Sequence, residues 1–352
     1  MYSSQNFKIK RAVIFILQAV LLPLVGLPAY SQTVGTTTGD ILKINQGARP
    51  AAMGGAYTAM GDDVYSINYN PAGLSYLKAT QAVLLHLDSL ADIQYEYMSL
   101  GTAFGSGNVL GFNFTYRHSP SIDNQNGNPP VNTDDLLMSL SYARKLGDNF
   151  RAGITAKYLK STLAFYSGTA IAFDLGAVLD RLPFGIRAGA AVQNLGTGMT
   201  YTPGGAGSTS GYPSESLPLF LRFGLGTHQV FEGDRDFNAA IEVFKPSDQD
   251  IKLGLGAELW VFPELFVVRA GYKIENLGSP YGGINTNVNP NQAYPGVSNA
   301  FSNYTLGCTL TRRIEGDDFS IDIAYDPADF TTTTSDTFFF ALNFKFNQFR
   351  FF

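Results

Sequence analysis

The sequence predicts an all-β protein: a 14-stranded antiparallel transmembrane β-barrel with an N-terminal hatch segment inside its lumen. Three observations carry that reading. First, from Thr80 onward the chain repeats short runs in which apolar and polar side chains alternate. Tyr304, Leu306, Cys308 and Leu310 share one parity, and Thr305, Gly307, Thr309 and Thr311 share the other. Successive side chains of a strand point to opposite faces, so each run carries one oily face and one wet face. Second, the connections alternate in length. Third, charges of both signs fall on the wet parity.

The chain has 352 residues, with 45% hydrophobic, 13% aromatic and only 15% charged residues, and 37 glycines. A soluble domain averages roughly 25% charged residues. A multispan helical protein needs runs of about 20 apolar residues, and the strand region contains none. Low charge, high glycine and many aromatics suit a barrel whose outer wall faces lipid.

Residues 1–31 are expected to be a signal peptide. Lys8, Lys10 and Arg11 form a positive start, Ala12 to Leu27 an apolar stretch, and Ala29-Tyr30-Ser31 a small-residue cut site before Gln32. A retained anchor helix is the alternative, opposed by Gln18, Pro23 and Pro28. Removal of the leader leaves 21 basic against 29 acidic residues, a net charge of −8. That balance excludes a basic nucleic-acid face. Cys308 is the single cysteine, so no disulfide framework exists. The predicted destination is the Gram-negative outer membrane, with its lipid as the first partner.

Residues 32–79 precede the alternation and form the predicted hatch. Small residues are dense through Gly47-Ala48-Arg49-Pro50-Ala51-Ala52-Met53-Gly54-Gly55, and Asn70-Pro71-Ala72-Gly73-Leu74 follows. Asn70-Pro71 predicts a turn, because the residue before proline resists helix. A fourteen-strand wall encloses more space than its own side chains fill, which gives this segment a place to go.

Residues 80–352 form the predicted barrel. Strands are expected to begin near Thr80, Gln94, Val109, Asp134, Phe150, Thr169, Phe184, Leu217, Phe237, Ile251, Leu265, Tyr304, Phe319 and Thr337. The first two are ambiguous, since Leu84, Leu85, Tyr95 and Tyr97 blur the parity. Short turns such as Gly105-Ser106-Gly107, Gly147-Asp148-Asn149 and Glu315-Gly316 follow even-numbered strands. Long connections over His118–Thr133, Gly196–Ser216 and Glu275–Asn303 follow odd ones. Short periplasmic turns and long outer loops produce this parity.

Arg117, Arg151, Lys157, Asp174, Arg187, Arg222, Glu242, Glu258, Arg269, Lys273 and Asp322 all take the wet parity. They form either a salt-bridge lattice that fills the lumen or the lining of a solute path. No catalytic constellation accompanies them: His86, His118 and His228 lack metal-ligand spacing, and no phosphate loop or nucleophile elbow occurs. No cofactor and no enzyme activity are expected. Asp62-Asp63 reads as a helix cap or turn rather than a cation site. Trp260 is expected in the interfacial aromatic girdle.

The run from Gly47 to Ala56, with Asp62-Asp63 and Asn68-Tyr69-Asn70-Pro71-Ala72-Gly73-Leu74, resembles the PorV/PorQ family, which belongs to the wider FadL-like group of outer-membrane proteins. The resemblance implies a fourteen-strand barrel with a hatch. For PorV-like members it implies a role in type IX protein secretion, with secretion-system components and the C-terminal signal domains of exported proteins as partners. For FadL-like members it implies uptake of hydrophobic small molecules through the barrel and its wall. The positions singled out as a hatch or gating motif are Gly47, Ala48, Arg49, Met53, Gly54, Gly55, Asp62, Asp63, Asn70, Pro71, Ala72 and Gly73. A soluble periplasmic β protein is the remaining class.

Overall fold

The computed structural model describes residues 36–89, 92–121, 131–204, 212–231, 235–277, 303–330 and 333–347. The predicted leader, the outer parts of the three long connections and residues 348–352 lie outside them. Fourteen strands build the wall: β1 (Thr80–Asp88), β2 (Gln94–Phe104), β3 (Asn108–His118), β4 (Thr133–Leu146), β5 (Phe150–Leu163), β6 (Tyr166–Leu182) and β7 (Ile186–Gly196), then β8 (Phe220–Phe231), β9 (Arg235–Pro246), β10 (Ile251–Phe262), β11 (Phe266–Leu277), β12 (Tyr304–Ile314), β13 (Asp317–Phe330) and β14 (Thr333–Phe346). Every neighbour pair is antiparallel, and β1 closes the ring on β14 from Thr80↔Phe346 to Asp88↔Phe338. Closure removes sheet edges and satisfies every ladder, the condition for strands in hydrocarbon.

The parity reading holds around the ring. Leu306, Leu310, Ile171, Phe173, Phe338 and Phe340 face outward and exposed, while Thr305, Asp322, Ala324 and Asp174 face inward and buried. The ambiguity of β1 and β2 has a physical cause. Their inward residues Val83, Leu85, Tyr95 and Tyr97 are apolar because they pack against hatch residues Tyr65, Ile67 and Leu77, not against water.

The tight turns carry their own explanation. Gly147 turns between β4 and β5 at φ 76, a left-handed conformation that glycine adopts without a side-chain clash. The ladders from β1 through β5 run without a register shift, and shifts occur only between β6 and β7 and between β10 and β11. Trp260 corrects the girdle expectation. It shares the inward parity of Glu258 and lines a cavity in the lumen at the end of the barrel that carries the short turns.

Candidate functional site

The hatch threads the lumen from one end to the other. Near residue 37 it lies at the end with the long connections, where Thr37 donates to Asp248 at 2.6 Å and the Thr38 amide donates to the Ser216 carbonyl at 3.1 Å. At its far end Tyr76 donates to Asp180 and lies under the Arg151 guanidinium, 3.7 Å from ring centroid to charge centre. Between these ends it forms one short helix, α1 (Ala48–Ala52), and three 3₁₀ turns over Asp40–Lys43, Val64–Asn68 and Pro71–Tyr76. Asp63 and Asn70 cap the last two by accepting from the amides of Tyr65 and Ala72. Asp63 thus caps as expected, and Asn70-Pro71 opens a turn with proline at its first position.

The wall makes room for this backbone with inward-facing glycines. Directly opposed pairs occur at Gly101↔Gly111, Gly153↔Gly176, Gly189↔Gly224 and Gly256↔Gly271. A Cβ at Gly153 would sit 2.4 Å from the Pro71 carbonyl carbon, and one at Gly176 2.0 Å from Asn70 Oδ1. At Gly271 it would meet the Gly54 nitrogen at 2.2 Å. Main chain therefore packs on main chain, and no larger residue fits. Polar groups add to the seat on β9, which has no glycine, and on β12, where Thr305 stands beside the inward Gly307. Glu242 accepts from the Tyr57 and Thr58 amides at 2.8 and 2.7 Å, and Thr305 bridges the Gly54 amide and the Ala52 carbonyl.

Arg49 ties the centre of the hatch to the wall. Its guanidinium donates twice to Glu258, both at 2.9 Å, and to Asp62 and Asp63 at 2.6 and 2.8 Å. Glu258 also receives Arg269 and the Asn238 amide, and the Tyr57 hydroxyl donates to Asp63 at 2.6 Å. The fork of arginine suits such bidentate pairing. Below this cluster a polar cavity of about 680 Å³ opens at the short-turn end, with Arg49 and Asp63 in its roof and Trp260, Thr309 and Asp322 on its walls.

The twelve predicted hatch positions thus divide into two roles. Arg49, Asp62 and Asp63 meet in one ion cluster. Gly47, Ala48, Met53, Gly54, Gly55, Asn70, Pro71, Ala72 and Gly73 instead seat the backbone. Gly73 lies where a Cβ would meet the Gly61 carbonyl at 2.5 Å, and Gly47 under the Tyr65 ring. Among the described residues no group of three or more His, Cys, Asp or Glu side chains has metal-binding geometry. His86 and His118 face outward, not into the lumen, and pair with Glu96 and Asp134 at 2.8 and 2.6 Å.

An aliphatic cage sits on the other side of the hatch. Ile41 and Leu42, 0% and 9% exposed, insert among Leu137, Leu159, Ala170, Ala172 and Phe220 of the wall and Met199 and Leu217 of the β7–β8 connection. All five wall residues stand on the wet parity, which was the sequence signal that strand reading passed over. The strap carrying Ile41 and Leu42 is fastened mainly by polar contacts: Lys43 to Asp248 at 2.7 Å, Asn45 to Asp326 at 3.0 Å, and the Thr115 hydroxyl to Gln46 at 3.2 Å. Burial opposes charge on both members of the first pair. Their mutual attraction outweighs it, so the Lys43 ammonium stands above its usual range and the Asp248 carboxyl below.

A family described as an uncharacterised protein family, UPF0164, matches residues 29–127, less than half of the chain. No curated protein matches the sequence. Among solved structures, the CymD monoaromatic hydrocarbon channel is 13% identical, with 86% of this chain and 97% of that chain covered and a TM-score of 0.56. The Pseudomonas putida toluene transporter TodX is 11% identical, covering 86% and 98%, with a TM-score of 0.55. A FadL homologue of Pseudomonas aeruginosa is 11% identical, covering 89% and 99%, with a TM-score of 0.51. At these identities the likeness is one of fold: a closed, 14-stranded antiparallel barrel like that of these channels.

Proposed function

We propose that this barrel passes small hydrophobic molecules across the outer membrane, with the aliphatic cage as the solute's first lumenal site. The observation that carries the reading is the cage itself: an apolar socket toward the end of the lumen that carries the long connections, filled by the chain's own Ile41 and Leu42. The fold shared with hydrocarbon channels supports it. In this reading residues 36–46 are the movable part, held by side-chain tethers, while residues 47–79 stay seated on the glycines. The leader over residues 1–31 brings the chain to the periplasm.

Proteoliposome uptake of a monoaromatic hydrocarbon and of a long-chain fatty acid tests the proposal. Saturable uptake that rises when Ile41 and Leu42 are shortened to alanine is expected. Uptake equal to that of empty vesicles for wild type and variants overturns it.

The resemblance over residues 47–74 favours a second reading, a PorV-like role in which the sealed barrel binds export components or cargo signal domains. Co-purification of such a component from solubilised outer membrane, with no solute uptake, is the outcome that selects it.

A further inference from the structure

The outer surface of the wall carries a groove of about 730 Å³ over β1, within the range of about 300–1,000 Å³ for small-molecule sites. Leu84 lies at its floor, Met98 and Phe114 on one flank, and Phe340, Leu342 and Ile321 on the other. The groove lies over the paired middle of the ladder, where Leu84 stands between Met98 on one neighbouring strand and Leu342 on the other.

A polar head closes one end of the groove on the same outward face. His86 Nδ1 lies 2.8 Å from Glu96 and Nε2 lies 3.3 Å from Asp88, and all three side chains are exposed. The outward parity of β1, β2 and β3 carries no lysine or arginine. Two carboxylates against one imidazole give the head a negative balance, directly above an apolar trough. Charged groups on a lipid face are disfavoured, though the cost falls to about 0–1 kcal/mol near the interface. An anionic lipid head would be repelled here, and an ammonium would complete the pairing.

We propose that this groove holds one membrane lipid with a primary-ammonium head, its chain along Leu84, Met98 and Phe340 and its ammonium at Glu96 and Asp88. The site is independent of any solute route through the lumen. Trough and head supply different parts of the recognition: the trough takes any aliphatic chain, and the carboxylates select the charge.

The test compares delipidated, refolded protein in vesicles of phosphatidylethanolamine and of phosphatidylglycerol with identical chains, read by native mass spectrometry of retained lipid. Wild type is expected to retain phosphatidylethanolamine about tenfold more strongly, the equivalent of one charge-assisted hydrogen bond. The Glu96→Gln, Asp88→Asn pair, which keeps shape and removes charge, is expected to abolish the preference while retaining both lipids weakly. Leu84→Trp, which fills the trough, is expected to lower retention of both. Equal retention by wild type, a preference that survives the double substitution, or a dimer mass in place of a lipid adduct would each overturn the proposal. Heat-modifiable gel mobility reports that every variant is folded.

Discussion

Arg49→Ala is the most informative single change, because Arg49 joins the hatch motif to wall carboxylate Glu258. It removes both hydrogen bonds to Glu258 and the contacts to Asp62 and Asp63. Breaking a buried pair by deleting one partner costs about 3–5 kcal/mol. The lower end applies, since Arg269 and Asn238 still serve Glu258, and Asp62 is 35% exposed toward the cavity. A loss of about 3 kcal/mol corresponds to roughly a hundredfold shift in the seating equilibrium. Two assays read it: denaturant titration of the folded barrel, and single-channel conductance across a planar bilayer, where wild type is expected to be closed and Arg49→Ala leaky. Adding Glu258→Gln to Arg49→Met is expected to return about 2 kcal/mol, a coupling typical of neighbours in one network. An unchanged midpoint with no conductance, or strictly additive effects in the cycle, would refute the assignment of Arg49 as the central tie.

The glycine seat makes a steric prediction. Gly153→Val forces a side chain into the Pro71–Ala72 backbone and is expected to cost about 3 kcal/mol, the upper end of ordinary overpacking, whereas Gly147→Asn at an open turn leaves the midpoint nearly unchanged. Emptying the cage with Ile41→Ala is expected to loosen the strap by about 2–5 kcal/mol, visible as faster amide exchange over residues 38–44 with the barrel strands protected. Acid and alkali act on the Lys43–Asp248 tether with opposite signs. Asp248 has a depressed folded pKa, so its contribution holds above the ordinary carboxylate value of 3.8 and fades as pH falls below it. Lys43 has a raised one, so its contribution holds below the ordinary 10.5 and fades as pH climbs past that value. A fluorophore on Thr38→Cys, in a Cys308→Ser background, is expected to stay immobile between those limits and to gain mobility outside them.

Much of the wall was legible because a period of two is hard to disguise. Once Phe319, Ile321, Ile323 and Tyr325 oppose Ser320, Asp322, Ala324 and Asp326, the orientation of β13 follows. That residues 36–79 lie within the wall accords with their lack of that period and their density of small residues. Three things were not legible. The parity of β1 and β2 was hidden because Tyr95 and Tyr97 contact hatch residues, so their inner face is as apolar as their outer one. The seat was overlooked because glycines such as Gly111, Gly153 and Gly271 read as composition until their shared inward parity is noticed. The cage was missed because Leu137, Leu159 and Phe220 look like lapses in a polar face. Trp260 was misplaced by residue type, where its own parity with Glu258 would have turned it inward. The ion cluster was half visible: Arg49, Asp62 and Asp63 were singled out, and Glu258 stood among the wet-face charges, but nothing linear joins residues 49 and 258.

The seam between β1 and β14 joins residue 80 to residue 346, the most distant pairing in the sequence, and non-local contacts of that kind form late. Residues 36–79 come earlier in the chain than every strand of the wall, so they are already present when the ring shuts. Since the backbone at Gly54, Thr58 and Pro71 lies flush against inward-facing wall glycines, residues 47–79 have no clearance through which to be pushed in afterwards. The cylinder is cast around its own stopper, and biogenesis of the empty wall would yield a different object.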